Sequence, residues 1–229
     1  VPPPDPARAL GVALAGAGLA GLLWAWLDLR ARIWAPVDAR VRLAELQSRI
    51  RPHFLFNALN TALALVRHDP ARAEDVLQNL GDLFRAALAE PGAAISLDEE
   101  LALARAYLAI EQQRFGRRLR LDWDVAPGVG RARVPPLMLQ PLVENAVRHG
   151  VEPSTQGALV TVRVRLRGGQ VLLEVLNTLP PEPAEAATTG HGMALHNVRE
   201  RLRLLHDVAA QFEAHREAGQ FVARVVIPL

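Results

Sequence analysis

Arg51-Pro52-His53-Phe54-Leu55-Phe56-Asn57 sets a histidine and, one helical turn later, an asparagine inside an apolar helix. Upstream, Leu43, Leu46 and Ile50 follow 3,4 spacing, and the same phase continues through His53, Asn57 and Asn60. An apolar seam therefore turns polar at His53. Phe54, Leu55, Phe56, Leu59 and Leu63 cover the other faces, which calls for several packing partners, as in a helix bundle. Pro52 lacks a backbone donor and frees the Ser48 carbonyl, so the helix, expected over Val41 to Val66, kinks or restarts there. Asp69-Pro70 punctuates, and Ala73, Leu77, Leu80, Phe84 and Leu88 predict a second, antiparallel helix ended by Pro91-Gly92. Ser96 and Glu99 form the signature of a capping box opening a third helix that runs to about Phe115.

After Gly116 the period changes to two. Leu119, Leu121, Trp123 and Val125 alternate with polar residues, as do Val160, Val162, Val164 and Leu166. Gly168-Gly169 turns the chain into Val171, Leu173 and Val175, an antiparallel hairpin. Helices are expected over Leu137 to His149 and Met193 to His206, and closing strands at Ala210 to Phe212 and Phe221 to Ile227. The fold class is α+β: a helical hairpin followed by an α/β sandwich with helices on one face.

Half of the 229 residues are apolar and none is cysteine, which excludes disulfides, thiolate nucleophiles and cysteine-ligated metals. All 26 basic residues are arginine, yet the net charge is only +2, and no basic patch with interleaved aromatics points to direct nucleic-acid binding. The first residue is Val1 and Pro2 to Pro4 read as a linker, so the chain is expected to be the C-terminal part of a longer protein. Ala9 to Leu27 carries no charge and is long enough to cross roughly 30 Å of hydrocarbon. Trp24, Trp26 and Trp34 at one end, with Arg30, Arg32, Arg40 and Arg42 beyond, give an aromatic belt and a positive-inside flank. The expectation is a transmembrane helix in a bacterial inner (cell) membrane, with residues after about 28 cytoplasmic. A buried Ala/Gly helix or a signal sequence is the alternative.

A phosphohistidine site needs a neutral imidazole nitrogen open to in-line attack on the γ-phosphoryl group of ATP. His53 in a bundle meets that requirement, with Asn57 on the same face to orient water or contact the phosphoryl group. Taken alone, a histidine in an apolar helix is more often a hydrogen-bonded core residue. The stretch Leu139-Gln140-Pro141-Leu142-Val143-Glu144-Asn145-Ala146-Val147-Arg148-His149-Gly150 changes that weighting. Asn145 can ligate Mg²⁺ through its amide oxygen, and Arg148 and His149 lie near enough along the helix to meet phosphate. Gly190-His191-Gly192, just before a helix, can bring backbone N–H groups to phosphates.

From about Leu43 to Leu229 the chain resembles the LytS/AlgZ-type sensor histidine kinases, which join a His_kinase helical region to a GHKL-type ATPase domain. The segments that carry the resemblance are Arg51 to Asn57, Leu139 to Gly150, and Gly190-His191-Gly192-Met193-Ala194-Leu195-His196-Asn197-Val198-Arg199-Glu200-Arg201-Leu202. The resemblance implies ATP and Mg²⁺ as cofactors, His53 as the phosphoacceptor, Asn145 as the Mg²⁺ ligand, and Gly190 and Gly192 as the glycine-rich end of an ATP lid over Thr178 to Thr189. It also implies a joining helix over Tyr107 to Phe115. GHKL domains usually end the central strand in an aspartate, followed by a glycine, to accept from the adenine amino group; here Asn177 stands in that phase and no glycine follows. An acid often follows the histidine in other histidine kinases, whereas Phe54 does here, which leaves the base unassigned with Glu144 as a candidate.

The domains expected are 1–35 (transmembrane helix and flanks), 36–116 (dimerisation and phosphoacceptor) and 117–229 (ATP-binding). One open apolar face on the hairpin implies a homodimer forming a four-helix bundle. By resemblance the partner is a response regulator of LytTR type, which receives the phosphoryl group on an aspartate. Two alternatives stand at this point: a degenerate kinase acting as a scaffold, and a GHKL ATPase or serine kinase with a structural His53.

Overall fold

The computed structural model describes residues 10–11, 14–30, 51–88, 94–180 and 191–229. The chain divides into two compact units, Val1–Ser48 and Arg49–Leu229. In the first, residues 14–30 form helix α1. Leu19, Leu22, Leu23 and Trp24 stand exposed on it, and the Arg30 guanidinium lies 5.2 Å from the Trp26 ring centroid. Among the described residues no helix is long and apolar enough to cross a membrane. Ala9, Val12 and Ala13 of the expected span lie outside the described residues, as do the seam from Val41 to Ile50 and the Pro91-Gly92 terminator.

The second unit opens with three helices. Arg51 is extended (φ −67°, ψ 131°) and Pro52 takes the first position of α2 (Pro52–Leu65), where its missing N–H has no helical partner to lose. α2 and α3 (Pro70–Leu88) form the expected hairpin. The buried stripe of α3, however, is Ala73, Val76, Leu80, Leu83 and Ala87. Leu77 and Leu88, expected in that stripe, are exposed, because the hairpin partner is met by smaller side chains one position away on the 3.6-residue wheel. In α4 (Leu97–Phe115) the capping box is complete: the Ser96 hydroxyl accepts from the Glu99 N–H, and the Glu99 carboxylate accepts from the Ser96 N–H at 2.8 Å. Leu97, Leu101, Ala104, Leu108 and Ile110 bury the inner face of α4.

The remaining residues build two sheets. β1 (Ile95–Ser96) and β3 (Arg133–Val134) make a short antiparallel pair that strand patterning did not reveal, since two-residue strands carry no period. The main sheet has order β2-β4-β5-β7-β6, using β2 (Leu119–Val125), β4 (Ala158–Arg167), β5 (Gln170–Thr178), β6 (Gln211–Glu217) and β7 (Gln220–Pro228). β2 runs parallel to β4 and every other pairing is antiparallel. Inward residues such as Val160, Val162, Val164, Leu173, Val175, Val225 and Ile227 form one core with Val143 and Ala146 of α5 (Gln140–Ala146) and with Val198 and Leu202 of α6 (His191–His206). On the opposite face Asp124, Arg163, Glu174, Arg224 and Glu213 stand in one register across all five strands, so charge alternates in sign along the row. Arg224 donates to Glu174 at 2.9 Å, and such cross-strand pairs fix the register that hydrophobic alternation already favours.

Candidate functional site

His53 lies exposed on the first turn of α2, whereas its neighbour Phe54 is buried and stacks on Tyr107 of α4, with centroids 4.6 Å apart. The aromatic stack fixes the rotational phase of α2 and so keeps His53 turned outward. The Asn57 amide nitrogen lies 3.2 Å from His53 Nδ1 and 3.5 Å from Nε2. Those nearly equal distances put the amide beside the Cε1 edge or over the ring, out of line with either lone pair, so neither tautomer is locked.

The second group of residues sits where helix meets sheet. After α5 the chain continues as a single π-turn, Val147–Val151, rather than ending at His149. The wider turn carries Gly150 against β5: a Cβ there would fall 2.7 Å from Asn177 Nδ2 and 2.9 Å from the Thr178 carbonyl oxygen. Only glycine permits that approach. Asn177 is buried in the inward phase, as its alternation with Leu173 and Val175 requires, and its Nδ2 donates to the Thr178 carbonyl at 3.2 Å. Its Oδ1 is buried and has no hydrogen-bond partner among the described residues. Asn145 and His149 are half-buried and Arg148 is exposed. Gly192 falls in the first turn of α6, while Gly190 and the lid from Pro181 to Thr189 lie outside the described residues.

Three acidic residues shape this region: Glu144, the candidate for the base in the sequence, and Glu111 and Glu100, to which no role was assigned there. Glu144, one residue before Asn145, pairs with Arg51 at the start of the histidine helix. Burial raises its carboxyl above the ordinary range, opposed by the positive charges of Arg51 and Arg148. Glu111 is buried at 2.9 Å from Arg114, which also reaches Glu152 at 2.7 Å. Burial pushes the Glu111 carboxyl up to about 7, with Arg114 pulling against it. Glu100 is fully enclosed and accepts from the Leu137 N–H at 2.8 Å and the Leu139 N–H at 2.7 Å, clamping the segment that enters α5. That segment passes through a positive φ at Leu137, and the Arg201 guanidinium of α6 donates to the Pro136 carbonyl. Burial pushes Glu100 up to about 7 even against its two N–H donors and Arg201. One sequence signal marks Glu100: it shares the buried phase of Leu97, Leu101 and Ala104, where an acid is out of pattern.

Residues 41–119 match the family model for histidine kinases. The chain is 34% identical over 158 residues to the sensor histidine kinase BtsS of Escherichia coli (strain K12), covering 69% of this chain and 28% of that protein. It is also 34% identical over 198 residues to YpdA of the same organism, covering 82% and 35%, and over 198 residues to the sensor histidine kinase/phosphatase LytS of Staphylococcus aureus (strain MRSA252), covering 80% and 34%. The chain belongs to the LytS/YpdA/BtsS-type sensor histidine kinases. It spans about a third of the length of the curated relatives it matches. The family model ends at the first residue of β2, and Asn145, Gly150 and Asn177 lie in the segments beyond it.

Proposed function

We propose that the chain is the cytoplasmic kinase core of a membrane-anchored two-component sensor, which phosphorylates its own His53 from ATP and passes the phosphoryl group to an aspartate of a response regulator, of LytTR type. In this reading residues 36–116 form the dimerisation and phosphoacceptor domain and 117–229 the ATP-binding domain. A neutral ring nitrogen of His53 attacks the γ-phosphorus in line. An N–P bond forms as the bond from phosphorus to the β–γ bridging oxygen breaks, ADP departs, and the proton on the other ring nitrogen passes to water. Asn145 would hold Mg²⁺ through its amide oxygen, with phosphate oxygens and water as the other ligands. One protein ligand suits Mg²⁺ in a nucleotide complex, and among the described residues no group of three His, Asp or Glu forms a metal cage. Arg148 and His149, with the backbone at Gly190 and Gly192, would meet the phosphates.

The observation that favours a kinase over a scaffold is the unmet oxygen of Asn177. A buried acceptor without a donor costs about 1–3 kcal/mol, and the adenine amino group is a donor of the right kind to remove that cost. Asn177→Leu keeps the volume and deletes the acceptor, so ATP binding measured by calorimetry is expected to weaken about tenfold while the melting temperature stays within a few degrees. Support for a homodimer comes from the apolar flank left on the hairpin, where Phe56, Leu59 and Leu63 of α2 and its C-cap Val66 are exposed together at 3,4 spacing. The exposed leucines and tryptophans of α1 support membrane attachment in the same way.

The test is to incubate the detergent-solubilised chain with γ-labelled ATP and Mg²⁺. Acid-labile, alkali-stable label on the protein is the expected result. Nucleotide binding without label would favour a GHKL ATPase, and no nucleotide binding would leave the scaffold.

A further inference from the structure

A ring stack and an ion pair tie the start of the histidine helix to the rest of its own chain, and they do different work. The Phe54 stack on Tyr107 fixes which way α2 faces. The Arg51–Glu144 ion pair fixes where α2 begins relative to the nucleotide helix α5, because Arg51 is the extended residue directly before Pro52 and Glu144 directly precedes Asn145. Between Arg51 and His53 lies only Pro52, whose ring fixes φ, so little backbone freedom separates the ion pair from the imidazole. Arg51 is about half exposed while Glu144 is largely buried. A largely buried carboxylate is a strong anchor for a guanidinium, and its second positive neighbour, Arg148, belongs to the same helical run.

We propose that Arg51 is a positioning residue for phosphoryl transfer: through Glu144 it seats the acceptor helix on the nucleotide helix of the same chain, so that His53 receives the phosphoryl group from ATP bound by its own chain. The inference rests on the kinase reading above and adds to it the direction of transfer, cis rather than trans, and the residue that enforces it. Arg51 does not touch the reacting atoms. Its loss therefore acts on the fraction of time His53 is correctly presented and leaves ATP affinity alone.

Arg51→Glu is expected to lower the maximal rate of autophosphorylation at least tenfold, with KM for ATP within about twofold of the parent. Arg51→Lys, which keeps the charge, should lose much less. A parent rate in Arg51→Glu, or a loss that appears only in KM, would overturn the positioning role. Direction is read from a heterodimer purified through two different tags, pairing a His53→Gln chain with an Asn145→Ala chain, each unlabelled as a homodimer. No label is expected, since neither chain holds both donor and acceptor; label on the Asn145→Ala chain would overturn transfer in cis. The kinase reading fails separately, through absence of label on the unaltered protein, and that result would remove this inference with it.

Discussion

His53→Gln is expected to bring acid-labile phosphorylation down by at least three orders of magnitude, to background, while ATP affinity and melting temperature stay at parent values. The size of the loss follows from chemistry. Glutamine has an amide nitrogen with no available lone pair, so no N–P bond can form at that position whatever the geometry. The absence of a folding penalty follows from structure. His53 is exposed, and among the described residues its ring hydrogen-bonds to Asn57, so glutamine in its place empties no cavity and strands no buried donor there. Asn57→Ala should behave differently, with a fall of about three- to thirtyfold, because that amide lies by the ring without locking either tautomer. The measurement is retained γ-label after alkali treatment, alongside calorimetric ATP binding for each variant. Acid-labile label persisting on His53→Gln would move the phosphoacceptor elsewhere in the chain and leave His53 structural.

The placement of His53, Asn57 and Asn177 was legible in the sequence for a shared reason: each sits on an element long enough to carry a period, so its face follows from its neighbours. Asn177 inherits the inward phase of Leu173 and Val175, and the structure buries it where alternation puts it. What stayed illegible depends on a partner far along the chain. The Arg51–Glu144 pair spans ninety-three positions and the Glu100 clamp on Leu137 and Leu139 spans thirty-seven and thirty-nine, and no local pattern encodes either. The parallel pairing of β2 with β4 is of the same kind, since hydrophobic alternation says which face is inward but not which strand lies alongside. The phase of the α3 stripe was misread for a subtler reason. Ala73 and Leu80 belong to both stripes, but helical spacing from them fits Val76, Leu83 and Ala87 as well as the expected Leu77, Phe84 and Leu88, and nothing local separates the two sets. Leu77 and Leu88 then add to the apolar surface left open on the hairpin.

The fold should melt at a higher temperature near pH 5 than near pH 8, the reverse of ordinary acid sensitivity. Glu100 and Glu111 are the cause, because burial raises each carboxyl from its ordinary 4.5 to about 7. A group whose pKa is higher in the folded chain binds protons more tightly there than in the unfolded chain. The stability it contributes is fully present below 4.5 and is lost as pH rises through about 7. At about 1.4 kcal/mol per pKa unit, each carboxylate costs roughly 3 kcal/mol once both states are ionised, and Glu144, also raised by burial, acts in the same direction. For a folded unit of this size the pair should shift the melting temperature by on the order of 10 °C between pH 5 and pH 8. Carboxyls held low, at Glu99 by its Ser96 hydrogen bonds and at Asp124 by Arg165, lose their contribution only as pH falls toward 4 and below, outside that window. The two carboxylates also differ in what their loss does. Glu111→Gln removes a proton-binding site beside Arg114 and should flatten about half of the slope. Glu100→Gln flattens a similar share but supplies one acceptor where two N–H donors need partners, so it should also lower the melting temperature at every pH. Circular dichroism melts of the parent and both variants at pH 5, 6, 7 and 8 read all three effects. A parent melting temperature that is flat or rises from pH 5 to pH 8 would show that Glu100 and Glu111 keep ordinary carboxyl affinity for protons, and the Leu137–Leu139 clamp would then be held by a fully ionised carboxylate at neutral pH.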